Sequence, residues 1–147
     1  MNKIIFLSIF TFIVSLNTVA ADKKNISDTI PPYLLGNFMD DYSIEYNISD
    51  SLWSQKPGVK YHIVEWNIKD KYLIAKNDEN NPSEKGLYTR IDFMQFNNME
   101  PFLWGFCLTL YNAASEPLAR AATTADRQNT RKGCNGYPFS RMKRIVQ

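Results

Sequence analysis

Histidine and cysteine are scarce in this chain: one histidine, His62, and two cysteines, Cys107 and Cys134, among 147 residues. A zinc site needs three or four nitrogen or sulfur ligands, so no multi-histidine or cysteine-cluster metal centre is expected. Glycine is scarce too, six in all, and there is no Gly-rich phosphate loop, no Gly-x-Ser-x-Gly and no His-Glu-x-x-His. No motif implies a cofactor. Neither sign of charge dominates: 17 basic and 15 acidic side chains leave a net charge of +2. That is too little for a general nucleic-acid binder, which leaves a small molecule or a protein as the partner.

What is present is globular composition, 44% hydrophobic and 22% charged, with an N-terminus built like an export signal. Lys3 is followed by the apolar run Ile4–Leu16 and then by small residues, so residues 1–21 read as a signal peptide. Either Thr18-Val-Ala20 or Val19-Ala-Ala21 offers small residues to a peptidase. The competing reading is an uncleaved anchor, but the run falls short of the roughly 20 residues a span needs. Later apolar runs are short and broken by charge, so no membrane span is expected after signal removal. Residues 22–147 are then one domain, in the periplasm or outside the cell.

Export permits a disulfide, and with two cysteines the pairing Cys107–Cys134 is forced if a bond exists. Cys107 lies in the apolar run Phe102–Tyr111 and Cys134 in the turn-like Lys132–Gly136. A bond would pin the C-terminal segment to the sheet. A thiol nucleophile is the alternative, with His62 its one available imidazole.

From Gly36, Phe38, Tyr42, Ile44, Tyr46 and Ile48 share one parity and mostly polar residues the other, the period of a half-buried strand. Asp40 sits on the apolar parity: either Asp40-Asp41 is a turn, or a carboxylate points inward. Val59–Trp66 is apolar on parts of both parities, as in a strand covered on both sides. A hairpin turn at Asn67–Lys71 leads to Tyr72–Ala75, a loop spans Asn77–Gly86, and strands follow at Leu87–Met94 and Phe102–Tyr111. Counting gives about six strands, six to eight at the limits, with connections too short for parallel crossovers. The fold class is all-β: an antiparallel β-barrel or barrel-like meander with one short C-terminal surface helix, Glu116–Arg127, and a disulfide-pinned tail. Residues 22–119 carry 9 basic and 14 acidic side chains, whereas residues 120–147 carry 7 and 1. A basic tail packed on its own acidic barrel accounts for this; an anionic partner is the sharper alternative.

Candidate ligand-binding residues follow from this layout. Tyr42, Tyr46, Trp53, Tyr61 and Trp66 each neighbour a polar residue, as in pockets that are apolar with a few polar groups; the same rings also suit a solid core. His62 is either a hydrogen-bonded structural residue or an acid/base group oriented by Asp40 or Asp92. Arg90 and Asp92 share a strand face, as a surface ion pair or as a polar anchor inside a barrel. Acid pairs for glycoside cleavage can be drawn from Asp40, Asp41, Glu45, Asp92 and Glu100, but 15 acids yield many such pairs.

Gly36-Asn-Phe38 after Leu34-Leu35 resembles the Gly-x-Trp opening of lipocalin-like (calycin) barrels, with phenylalanine in place of tryptophan. The resemblance implies an antiparallel barrel holding a small apolar ligand in an open mouth, although those barrels have eight strands. Tyr88–Asp92, Trp104–Cys107 and Gly133–Met142 are similar to segments of small exported bacterial proteins. The expectation is a non-enzymatic, ligand-binding β-barrel. The alternatives are an inhibitor of a foreign hydrolase and, third, a hydrolase using His62 with a carboxylate.

Overall fold

The computed structural model describes residues 29–145, so the apolar run assigned to export lies outside the described residues. Eight antiparallel strands form a meander that closes on itself: β1 (Gly36–Asp40), β2 (Glu45–Ile48), β3 (Leu52–Gln55), β4 (Val59–Asn67), β5 (Tyr72–Asn77), β6 (Tyr88–Gln95), β7 (Phe102–Ala113) and β8 (Ser140–Arg144). The closing seam pairs Phe38, Met39 and Asp40 with Arg144, Lys143 and Met142. A closed eight-stranded antiparallel barrel is consistent with a calycin-like fold, and it leaves no free sheet edge.

The run from Gly36 to Ser49 is two strands, not one. The chain turns at Asp41–Ile44, so Phe38, Asp40, Tyr46 and Ile48 point inward while Tyr42 is left on the turn, 66% exposed. β4 also departs from its expected burial. Its register shifts between Ile63 and Glu65, and an extra residue reverses the inside–outside alternation. Tyr61 and Ile63 face the core, Lys60 and His62 are exposed, and beyond the bulge Trp66 packs inward. Only one side of β4 is covered.

Alternate connections of a meander lie at the same end. The turns at 49–51, 68–71 and 96–101 therefore share one end with the start of β1. There a 3-10 helix, Pro32–Leu34, plugs the barrel, with Leu34 1% exposed in the core. Arg144 fastens the plug: Nη2 donates to the Pro32 carbonyl at 3.1 Å, and the guanidinium lies 4.9 Å above the Phe38 ring. Gly36 sits beneath it with φ +120°, where a Cβ would be 2.6 Å from Arg144 Nη1. Gly36→Ala is expected to cost about 1–3 kcal/mol through backbone strain and displacement of this arginine. Thermal unfolding measures it, and an unchanged midpoint would show that the plug needs no glycine.

The interior is filled. Trp53 and Trp104 stand perpendicular with centroids 5.9 Å apart, and Phe106 lies 5.0 Å from Trp53. Phe38 meets Trp104 edge-on at 5.4 Å and Tyr46 meets Phe106 at 5.6 Å. Such edge-to-face pairs contribute beyond their buried area. Trp104 Nε1 is the one buried side-chain polar atom without a partner among the described residues, enclosed by these rings.

The helix is shorter than its sequence suggests: α1 covers Glu116–Arg120 only. It packs on the outer wall, where Ala119 meets Tyr72, Ile74 and Ala113. The following chain is held by the disulfide Cys107–Cys134, as the sequence leads one to expect. No helix among the described residues is long and apolar enough to cross a membrane.

Candidate functional site

The end opposite the plug is open. The turns at 41–44 and 56–58, the loop 78–87 and the segment 114–139 gather around it, and two adjoining cavities lie between them. One, about 250 Å³, is bounded by Val59, Tyr61, Asn77, Asn81, Pro82, Ser83, Glu84, Leu108 and Tyr111. The other, about 460 Å³, shares Leu108 and Tyr111 and adds Asp40, Tyr42, Ile44, Tyr46, Gln55, Phe106, Cys134, Asn135, Tyr137, Pro138 and Ser140. Five tyrosines border this mouth. Phe106, edge-on to Trp53, forms part of its floor, so the solid aromatic core limits its depth.

Each polar group at the mouth has a local origin. Asp40 ends β1 and caps the turn. Its Oδ1 accepts the backbone N–H groups of Tyr42 and Ile44, both at 2.9 Å, and its Oδ2 accepts the Tyr46 hydroxyl at 2.9 Å. It is both the turn residue and the inward carboxylate, at 3% exposure. Burial, reinforced by the Asp40 carboxylate, pushes the Tyr46 phenol far above its usual range. Tyr61 is 9% exposed; burial raises its phenol too, and its hydroxyl has no hydrogen-bond partner among the described residues. Asn77 is saturated: it donates to the Glu84 and Tyr111 carbonyls and accepts from Thr89. Asn81 bonds both backbone groups of Lys60 at 2.8 Å, which fastens the 78–87 loop to β4.

The structure brings only some of the sequence candidates together. Asp40 and Tyr46 share the mouth, and Tyr42 lies on its rim. Trp53 is 2% exposed in the core below, one ring removed from the cavity. Trp66 is at the plugged end, where its Nε1 donates to the Asp50 carbonyl at 2.7 Å and its ring meets Phe93. His62 is on the outer wall with its side chain 53% exposed, 2.7 Å from Asp78 rather than beside Asp40 or Asp92. That contact and the amide groups of Asn80 hold the Asp78 carboxyl down at about 2.

Arg90 and Asp92 form the expected ion pair, Nε to Oδ2 at 3.0 Å, but neither on the open surface nor inside the barrel. They occupy the outer wall under residues 120–127, with side chains 4% and 0% exposed. The reason is the covering chain: Arg90 donates to the Arg120 carbonyl and the Thr124 hydroxyl, and Arg127 reaches Asp92 at 2.8 Å.

Sequence reasoning missed Tyr111, Tyr137, Gln55, Glu84 and Asn135. Tyr111 follows the bulged register of β7, and Tyr137 sits in the disulfide-held loop beside Pro138; only the pinning by Cys134 hinted that this loop forms a wall. A larger concavity, about 630 Å³, lies outside the barrel between Met99 and Arg131. Its polar side chains are exposed or half-buried, and Arg141 there is already paired with Asp41 at 2.8 Å. No group of three or more His, Cys, Asp or Glu side chains converges to hold a metal among the described residues. Comparison with protein-family models, with curated proteins and with solved structures finds no match to this chain.

Proposed function

We propose that this is an exported, non-enzymatic binding protein that takes a small organic molecule at the tyrosine-lined mouth of its barrel. One observation carries the reading: the barrel is plugged at one end and open at the other, onto adjoining cavities lined by aromatic rings and a few fixed polar groups. The larger, about 460 Å³, is within the size range of ordinary small-ligand sites, and the smaller, about 250 Å³, adjoins it. The disulfide fits an oxidising compartment, in line with a signal at residues 1–21 and a single domain beyond it. Asp40, Tyr42, Tyr46 and Tyr61 belong to the proposed site. Trp53 supports it from beneath, and Trp66, His62, Arg90 and Asp92 do not.

Amide and side-chain NMR titration with a panel of small aromatic, aliphatic and sugar compounds tests the reading. Binding should move resonances of Tyr61, Leu108 and Tyr111 and leave Trp66 unmoved. Tyr61→Phe should weaken binding about fivefold, the worth of one hydrogen bond. A panel that moves nothing at the mouth overturns the proposal. The filled interior favours a second reading, a partner-binding module that presents the 78–87 loop. It requires a protein interaction lost on substitution at Asn80, with the mouth silent to small molecules.

A further inference from the structure

We infer that the ligand of the mouth is an organic cation, an ammonium group carried on an apolar or aromatic body; this rests on the mouth being the binding site. The first ground is charge. Among the described residues no lysine, arginine or histidine lines either cavity, whereas Asp40 and Glu84 do. A carboxylate or phosphate ligand would find no counter-charge and two like charges.

The second ground is the contrast between the two buried carboxylates among the described residues. Asp92, 0% exposed, is held by two guanidinium groups. Asp40, 3% exposed, is held by two backbone N–H groups and a phenol, and no cation of the described residues pairs with it. Its neighbour Asp41 is paired with Arg141. A carboxylate removed from water ordinarily has a positive partner. Asp40 borders the cavity, so a bound cation would supply one.

The third ground is the rim. Tyr42, Tyr111 and Tyr137 are 66%, 49% and 73% exposed around the same opening. Their π faces attract ammonium groups, and most strongly where water is displaced. Phe106 and Leu108 below offer an apolar floor for the ligand's hydrocarbon body. The Tyr61 hydroxyl, without a partner among the described residues, is free to accept an ammonium N–H.

A matched series on the intact, disulfide-bonded protein tests this: 3-phenylpropylammonium, 3-phenylpropan-1-ol and 3-phenylpropanoate, followed by NMR shifts at the mouth and by calorimetry. The ammonium compound should bind about tenfold or more tighter than the alcohol, with the preference shrinking in salt, and the carboxylate weakest of all. Asp40→Asn and, separately, Glu84→Gln should each reduce the ammonium-over-alcohol ratio, and the second, at a half-buried loop residue, keeps the test readable if the first misfolds. Equal binding of alcohol and ammonium, or a carboxylate that binds as well, overturns the cation inference and leaves the mouth a site for neutral molecules. No mouth response to any of the three, together with a silent broader panel, overturns both readings.

Discussion

Asp92→Asn is expected to lower the free energy of unfolding by about 3–5 kcal/mol, the cost of breaking a buried ion pair from one side. Asp92 Oδ1 accepts from Arg90 Nη2 at 3.1 Å and Arg127 Nη2 at 2.8 Å, and Oδ2 accepts from Arg90 Nε and the Thr109 hydroxyl. Asparagine keeps the shape but loses the charge, and its NH2 would face donors. Arg90, with its side chain 4% exposed, would remain as a buried cation. Its other contacts, the Arg120 carbonyl, the Thr124 hydroxyl and the Tyr72 ring 4.0 Å below it, are neutral. Arg127→Ala should cost less, because that side chain is 22% exposed and Asp92 keeps Arg90. Replacing the pair together, Arg90→Met with Asp92→Leu, should restore part of the loss, since no fully buried charge is then stranded; Arg127, 22% exposed, keeps the carbonyls of Phe93, Asp70 and Lys71. Urea unfolding of the three variants measures these differences. A loss below about 1 kcal/mol for Asp92→Asn would place the pair among ordinary surface bridges.

The same cluster accounts for part of the uneven charge along the chain. Three of the seven basic residues in 120–147 pair with acids of the preceding chain: Arg120 meets Glu65 and Glu116, Arg127 meets Asp92, and Arg141 meets Asp41. Only the Asp92 contacts are deeply buried, so they account for most of the energetic coupling between tail and barrel; the exposed pairs add little. Of the other four basic residues, Arg144 fastens the plug through the Pro32 carbonyl and the Phe38 ring, and Arg131, Lys132 and Lys143 pair with no carboxylate among the described residues.

Local patterning carried much of the fold. The alternation Thr89, Ile91, Phe93 against Tyr88, Arg90, Asp92 identified β6, and the apolar run at Phe102 identified β7. Period-two parity also placed Asp40 inside. What parity cannot say is which face is covered, and by what: Arg90 and Asp92 were legible as neighbours, but not as groups hidden beneath a segment thirty residues further on. The helix stops at Arg120 for the same reason. Arg90 takes the Arg120 carbonyl and the Thr124 hydroxyl, so the chain leaves helical geometry to cover a guanidinium. β3 and β8 have only 4 and 5 residues, too few to show a period, and they form because closure gives each a partner on both sides. The bulge at Val64 has no sequence signal of its own, and it reverses the inside–outside alternation over the rest of β4. The mouth was half legible: Asp40, Tyr42, Tyr46 and Tyr61 stood out, but Tyr111 and Tyr137 reach it through a bulged strand and a disulfide-held loop.

Removing the Cys107–Cys134 bond is expected to cost about 3.5 kcal/mol, the loop-closure entropy of 27 residues. The loss should fall most heavily on the mouth. Cys107, 1% exposed, points out of the barrel into a small cluster with Phe139 and Ala125, and its partner anchors the loop that carries Asn135, Tyr137 and Pro138 along the cavity. Gly133 shows how tightly that loop is folded, since a Cβ there would lie 1.9 Å from the Asp126 carbonyl oxygen. Without the bond the loop still has the Phe139 side chain in its cluster and the Asn135 bond to the Thr109 carbonyl at 3.1 Å, which together hold it less firmly. Cys107→Ala with Cys134→Ala should therefore leave β1–β7 paired, lower the urea midpoint, and speed amide exchange in residues 128–138 before the rest of the barrel responds. Ligand affinity at the mouth should fall in parallel, because one wall of the cavity must then be ordered on binding. Unchanged exchange in that loop would mean that packing alone holds the wall and that the disulfide serves only global stability.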